Sequence, residues 1–527
     1  MDYKMEGLFK GCRPLVLPLL LVGSFLAGYI LYFVYFHPLA KYPGPFLSKI
    51  TTARAAYHAW KGDLHLDMWP CHRQYGPLVR YGPNHLMFES STALKDIYTP
   101  AQNVSKPDYY QGLGNGRANL LTLSDKKEHS RRRRLIGSGF TDISLREFIP
   151  ELAKHISRFC ATLDRESRPK SSRQWGQPLN MSDWCSYLTF DIMCDFVFGV
   201  SYNLLESEEY SHVIDDIEDA NIRATVLVWA PYLYLGRLDK KLFRHFVRAR
   251  NRYLNFLNLL IKDSSAREAR KHDIFAYLTS LTGSGEGETL DPRQVLSESS
   301  VLVVAGYDTT ATALCAILFY LTRNPHAYSK LTTEIRSKFS PATPIFSPRD
   351  LENTPYLTAC IDEALRMSPS VASCLFRQVG PDGIIIDNHH IPPRTLVGNG
   401  IYSLHHNPKN FDRADEYIPE RWLDEEAGLD SKSQTESDSV AKSKGEFAPF
   451  SIGSRACIGK SLALMELSMT VAILLKRYDF RVASGEGGGL GRGGVLAGDG
   501  RANPGEFQLY DRITCAKRGP LVQLRRL

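Results

Sequence analysis

In the stretch FAPFSIGSRACIGKSLALMEL, residues 447–467, one of the chain's 10 cysteines stands apart from the rest. Gly453 and Gly459 flank Cys457, so the backbone there can turn sharply and approach a flat, bulky partner. Ile458 to Leu467 have helical spacing, which puts Cys457 just before a helix N-terminus, where free N–H groups and the helix dipole favour a thiolate over a thiol. Arg455 adds a cation two residues earlier. A thiolate framed this way suits a single axial metal ligand, and cysteine thiolate is one of the proximal ligands of haem iron. The remaining cysteines form no CxxC pair and no Cys/His cluster of zinc spacing. Several lie in apolar helical stretches, such as Cys194 and Cys315, and read as reduced packing residues of a cytosol-facing protein. In that compartment the sequons at Asn103 and Asn180 go unused.

A second chemical feature is the run EHSRRRRLIG, residues 128–137. On a helix, successive arginines are rotated by about 100°, so four in a row fan around most of the circumference. They cannot all face one phosphate backbone, nor can all be buried. His129 and Arg133 are four residues apart and share a face, whereas Arg131 and Arg134 share a different one. With a formal net charge of +7 and no aromatic platform or recognised module beside the run, nucleic-acid binding is excluded.

Phe450, Gly453, Arg455, Cys457 and Gly459 match the haem-binding signature FxxGxRxCxG, and here the chain resembles the cytochrome P-450 family. Three further motifs agree in type and order. EALR supplies Glu363 and Arg366, one helical turn apart, and PERW supplies Arg421. The resemblance implies that these three form a structural network behind the haem. AGYDTT, residues 305–310, matches the motif of the family's long central helix. It implies room for dioxygen at Ala305 and Gly306, and proton relay by Asp308 and Thr309. His129 stands where the family more often has tryptophan in a Trp-x-x-x-Arg pair. With Arg133, Arg377 and Arg455 it is implied to hold the haem propionates, while Arg131 and Arg134 turn outward to solvent or to an electron donor.

The elements that must position these residues are legible at a coarser level. The chain has 527 residues, 43% of them hydrophobic, enough for a large core. Residues 14–36 carry no charge and are long enough to cross a hydrocarbon core, and no cleavage site follows them. Aromatic residues near the end of the span suit a membrane interface, and Pro18 is expected in its first turn. The chain then divides into an N-terminal tail (1–13), a transmembrane anchor (14–36), a proline-rich hinge (37–45) and one catalytic domain (46–527). Basic residues balance on the two sides of the anchor, and cysteine usage favours a cytosolic body. Between 45 and 110 short β-like runs alternate with turns, and from about 128 to 340 the spacing is helical. The longest segment opens at Asp291 as N-cap with Pro292 at the first helical position, and runs to about Arg323. Residues 428–445 read as a polar surface loop. Gly489, Gly491 and Gly494 make a formal GxGxxG, but nothing after them can open a helix, so they read as loop.

The resemblance implies a mainly α fold with small sheets, and a haem-thiolate monooxygenase that inserts one atom of O2 into a C–H bond. Electrons would come from NADPH through NADPH–cytochrome P-450 reductase, with cytochrome b5 as an alternative donor, at the endoplasmic reticulum membrane. Two alternatives stay open: a haem-thiolate isomerase or dehydratase that needs no O2, and a hydroxylase of a simple aromatic acid. A haem carrier or sensor without turnover fits less well, because the proton-relay pair is intact. The substrate is implied to be small and lipophilic, of secondary-metabolite type. Its pocket is expected from residues 100–124, 205–250, 301–305, 371–376 and 485–505.

Overall fold

The computed structural model describes residues 5–99, 103–113, 117–168, 174–266, 274–280, 290–339, 345, 348–423, 444–494 and 500–527, with backbone only for 5–16. The expected polar loop therefore lies outside the described residues except at its end, as do residues 495–499 of the glycine-rich stretch and parts of the expected pocket segment 100–124.

The first helix, α1, runs from Met5–Leu31 and continues as a π-helical turn over Tyr32–Phe36. Pro18 thus lies inside this helix, not in its first turn, because the helix begins ahead of the apolar span. Leu17–Phe36 has a mean hydropathy of 2.1, contains no buried residue, and is long and apolar enough to cross a membrane. Pro292–Arg323 passes the same length and composition test, but it is largely buried as the core helix of the domain.

The domain is mainly α-helical. The helices that concern the site are α2 (Lys126–Gly137), α3 (Met181–Phe198), α4 (Pro292–Arg323), α5 (Pro355–Met367) and α6 (Lys460–Arg477). A five-stranded sheet contains β1 (Leu78–Gly82), β2 (His85–Phe88), β3 (Val104–Ser105), β4 (Arg377–Val379) and β5 (Leu396–Asn399), in the order β1-β2-β5-β4-β3. Only the β2–β5 pair is parallel, with Phe88 opposite Asn399. Three smaller sheets complete the described strands.

Asp291 caps α4 by accepting from the Gln294 amide at 2.9 Å, and Gln294 reaches back to the Asp291 N–H at 2.8 Å, a reciprocal capping box. Its 32 residues extend about 48 Å, and from Thr310 to Leu321 every side chain is buried. Helix α3 lies close against it. A Cβ on Gly306 would fall 2.4 Å from Met193 Sδ, so glycine permits the contact, and Thr189 Oγ1 donates across to the Tyr307 carbonyl at 2.9 Å. Eight of the nine described cysteines are buried and all nine are unpaired. Both sequon asparagines are engaged: Asn103 donates to the Gly383 carbonyl at 3.1 Å, and Asn180 caps α3.

The Glu363 carboxylate in the core accepts five hydrogen bonds. Arg366, one turn on in α5, donates Nε to Oε2 and Nη2 to Oε1, both at 2.9 Å. Arg421 Nε reaches Oε1 at 3.1 Å, the Ile418 amide reaches Oε1 at 2.9 Å, and Trp422 Nε1 reaches Oε2 at 2.9 Å. Arg366 places its other donors on the carbonyls of His405, Ala414 and Glu416. All five of its N–H groups are therefore used, a pattern that a three-donor ammonium cannot reproduce. His405 continues the chain of bonds. Its Nδ1–H donates to the Arg366 carbonyl at 3.1 Å, which leaves Nε2 to accept from the Ala448 amide at 3.1 Å.

Glu363→Ala would leave two guanidinium groups without their counter-charge, and is expected to cost about 3–5 kcal/mol, read as a fall in the urea midpoint. An unchanged midpoint would show the carboxylate to be dispensable. Burial, and then Arg366, lower the His405 pKa to about 3, and burial alone lowers that of His85 to about 3. Both must stay neutral in the fold, while the unfolded chain binds their protons near pH 6.5. Stability is therefore complete above pH 6.5 and falls on acidification from 6.5 toward 3, by on the order of 1 kcal/mol per pH unit for each histidine. Urea midpoints at pH 7, 6 and 5 check the sign; a midpoint that rises on acidification would contradict it.

Candidate active site

The loop that carries Cys457 is held from below. At Gly453 φ is +77°, and a Cβ would lie 2.0 Å from the Tyr98 carbonyl oxygen, so only glycine fits. The Cys457 amide donates to the Phe450 carbonyl at 2.9 Å, and Gly459 is the N-cap of α6. Of the described cysteines only Cys457 is exposed, and it opens onto a cavity lined mostly by apolar side chains. Burial by the surrounding protein pushes its thiol up, against the opposing pull of the Gly459 amide, Arg133 and Lys460. The helix terminus therefore does not produce a thiolate unaided, as the sequence suggested; coordination to a metal would.

Across the cavity from Cys457 stands the central helix, with Leu302, Ala305, Gly306 and Thr309 on the wall. Thr309 Oγ1 donates to the Ala305 carbonyl at 2.7 Å. Asp308 takes a neighbouring face of the helix. Its carboxylate pairs with Lys517 Nζ at 2.8 Å and accepts from Thr514 Oγ1. It lines a separate cleft that also contains Asp183, Asp215 and Glu218. The acid and the alcohol thus face different cavities from neighbouring faces of α4. Of the expected pocket segments, 301–305 and 371–376 reach the cavity through Leu302, Ala305, Val371 and Leu375, and the described parts of the others do not. In the glycine-rich stretch a Cβ on Gly488 or Gly491 would strike a carbonyl oxygen, so these glycines serve close packing.

Four cations gather around His129. Burial, followed by Arg455, Lys106, Arg133 and Arg377, lowers the His129 pKa to about 3. Burial and then Arg377 bring Arg455 down to about 10. Arg455 donates to the Leu123 and Ser124 carbonyls, Arg133 to the Ala456 carbonyl at 2.7 Å, and Arg377 to the Leu375 and Phe376 carbonyls. The one carboxylate acting on Arg455 is Asp125, which also caps α2. Among the described residues no group of three or more His, Cys, Asp and Glu side chains could hold a metal ion. A metal over Cys457 would therefore take its remaining ligands from outside the described side chains, as a macrocycle supplies them. A single thiol on this cavity and a cationic cluster short of carboxylates together fit a metalloporphyrin that carries carboxylates.

The arginine run divides differently from the sequence expectation. Arg133 turns toward the cysteine loop and only Arg134 is exposed. Arg131 is half-buried and grips Glu128 through two bonds of 2.8 Å, because a carboxylate one turn earlier is closer than any partner outside. Arg132, assigned no role from the sequence, is the buried one. It bonds Glu128 at 2.6 Å and Glu298 of α4 at 2.9 Å, and Glu298 in turn accepts from the Leu120 amide. Glu466 of α6 was also missed. It lines the cavity, is 1% exposed and has no partner for Oε2, so burial pushes its carboxyl well above the usual range.

The family model described as cytochrome P-450 matches residues 41–488. The chain is 39% identical over 505 residues to a cytochrome P-450 monooxygenase, poxM, of Penicillium oxalicum, covering 95% of this chain and 93% of that one. It is 37% identical over 524 residues to the cytochrome P-450 monooxygenase AKT7 of Alternaria alternata, covering 99% of each. Among solved structures it is similar to the crystal structure of a cytochrome P450DA heme domain, with a TM-score of 0.69 over 88% of this chain and 94% of that one. At 15% identity this is a likeness of fold.

Arg132→Ala would strand the Glu298 carboxylate, which is 0% exposed, and is expected to cost about 3 kcal/mol or more. Arg134→Ala should stay within about 0.5 kcal/mol. Equal urea midpoints for the two variants would contradict this division of the run.

Proposed function

The chain belongs to the cytochrome P-450 family and is a monooxygenase of that family, and from that premise we propose that it hydroxylates, or otherwise oxidises at a C–H bond, a lipophilic secondary metabolite. The observation that carries this reading is Cys457, the lone thiol on the cavity, facing the Ala305–Thr309 wall with a cationic cluster close by. Haem, bound here, would supply the redox chemistry that splits O2 and delivers one oxygen atom to the substrate.

The chain's own residues do the rest. Cys457 would ligate the iron, Arg133, Arg377 and Arg455 would neutralise the propionates, and His129 would donate a hydrogen bond to one of them. Phe450, Gly453 and Gly459 shape the loop around the sulfur, and the Glu363–Arg366–Arg421 network keeps that loop in place. Ala305 and Gly306 leave room beside the central helix. Thr309 holds a proton at Oγ1 on the cavity wall. Asp308, with Lys517 and Thr514, keeps a proton supply on the side of the acidic cleft. The cavity presents Leu302, Val371 and Leu375 to substrate, which favours apolar molecules. Electrons from NADPH arrive through a reductase that docks on the exposed basic residues Lys127, Arg134 and Lys460. Residues 14–36 anchor the chain in the endoplasmic reticulum membrane, 37–45 act as hinge, and 46–527 form one catalytic domain on the cytosolic side.

Turnover with NADPH, reductase and ¹⁸O2 should give a product carrying one ¹⁸O, together with a ferrous–CO Soret band in the thiolate position. Cys457→Ala should lose both. In Thr309→Ala, product per NADPH consumed should fall by roughly 10²-fold as peroxide accumulates. Product formed without NADPH or O2 would establish the isomerase or dehydratase reading instead.

A further inference from the structure

Arg80 lies in the middle of β1 and was given no role by any motif. It is 0% exposed, and the partners of its guanidinium are carbonyl oxygens rather than carboxylates. Burial lowers its pKa only to about 10, so it keeps its charge. One of those carbonyls belongs to the end of the apolar span. In the π-helical turn Tyr32–Phe36 the His37 amide returns to the Tyr32 carbonyl at 2.8 Å. To continue that pattern the Phe33 carbonyl would need the N–H of the next residue, which is Pro38 and has none. An open carbonyl at the edge of a hydrocarbon layer is destabilising, and Arg80 Nη1 closes it at 2.8 Å. The same guanidinium holds the Lys49 carbonyl at 3.3 Å and the Pro83 carbonyl at 2.8 Å. The Arg80 amide donates to the Pro43 carbonyl at 2.7 Å, and a Cβ on Gly44 would lie 2.2 Å from the Arg80 carbonyl oxygen, so the proline-rich segment packs directly on β1. A second bond between span and domain runs from Tyr29 Oη to the Ile50 carbonyl at 3.0 Å.

We propose that Arg80 is the pin that fixes the membrane anchor at one angle to the catalytic domain, so that the domain meets the lipid surface in a single orientation. The inference rests on reading residues 14–36 as an anchor and goes beyond it, since an anchor on a free linker would hold the domain near the bilayer without orienting it. A buried cation bonded to no carboxylate is destabilising by itself. What this one achieves is to gather the end of the anchor, the proline-rich segment and two turns of the domain at a single point. The planar fork of arginine reaches these acceptors together, and a three-donor ammonium on a flexible stem does not.

The experiment compares full-length wild type, Arg80→Met and Arg80→Lys in phosphatidylcholine nanodiscs by double electron–electron resonance. One pair of nitroxides, carried on p-acetylphenylalanine, replaces Leu20 of the anchor and Lys95 of the domain; a second pair replaces Lys95 and Lys409, within the domain. These three side chains are exposed. Wild type should give narrow distance distributions for both pairs. In Arg80→Met the anchor–domain distribution should widen roughly twofold or more, since only a semi-rigid linker then joins the two parts, while the pair within the domain stays unchanged. Arg80→Lys should fall between the two. A broad anchor–domain distribution in wild type, or one that Arg80→Met leaves narrow, would overturn the assignment. So would equal widening of both pairs, or failure of both variants to fold, since either would mark an arginine that serves only the domain's own core. If wild type is not held by the nanodisc at all, the anchor reading itself falls, and this inference with it.

Discussion

The structure around the cysteine depends on one buried carboxylate. Glu363 accepts from Arg366, Arg421, Trp422 and the Ile418 amide. Arg366 then spends its remaining donors on three carbonyls of the chain that leads toward the cysteine loop. From there the bonds continue through His405 to Ala448, and from Phe450 to Cys457. Each step has a chemical reason. A fully buried guanidinium must satisfy five donors, and a neutral imidazole between a carbonyl and an amide must take one tautomer. The position of a sulfur atom on the cavity is therefore set by charges that never touch the cavity.

Around the cavity the same principle runs in the opposite direction. Behind the cysteine loop, cation and anion meet within the protein; around His129, cations accumulate with little to balance them. An internal pair holds the scaffold together, whereas an unbalanced cluster calls for an anion from outside. The arginine run contributes to both. Arg132 closes an internal pair with Glu298, Arg133 joins the unbalanced cluster, and Arg134 is left to solvent.

What could be read from the sequence follows from how far apart in the chain the partners lie. The cysteine loop was legible because its glycines, arginine and cysteine fall within a few residues of one another. So was the Glu363–Arg366 pair, at one helical turn, and Asp291 as the N-cap of the central helix. Arg132 and Glu298 are 166 residues apart, and Lys106 meets Arg377 and Arg455 only when three elements pack. No spacing rule reaches those contacts. The direction of Asp308 escaped for a related reason. The adjacent Asp308 and Thr309 are about 100° apart on a helix, and a lysine from a strand near the C-terminus decides where the aspartate points. Glu466 did leave a signal, a lone acid in the apolar run LALMEL, which a reading centred on the cysteine passed over.

The central claim is that this bonded scaffold presents Cys457 as the sole protein ligand to a haem iron. Low-temperature electron paramagnetic resonance of the ferric, haem-loaded full-length protein tests it most directly. The account predicts the narrow, rhombic low-spin spectrum of sulfur ligation. The wider spread of g-values produced by imidazole ligation would contradict it.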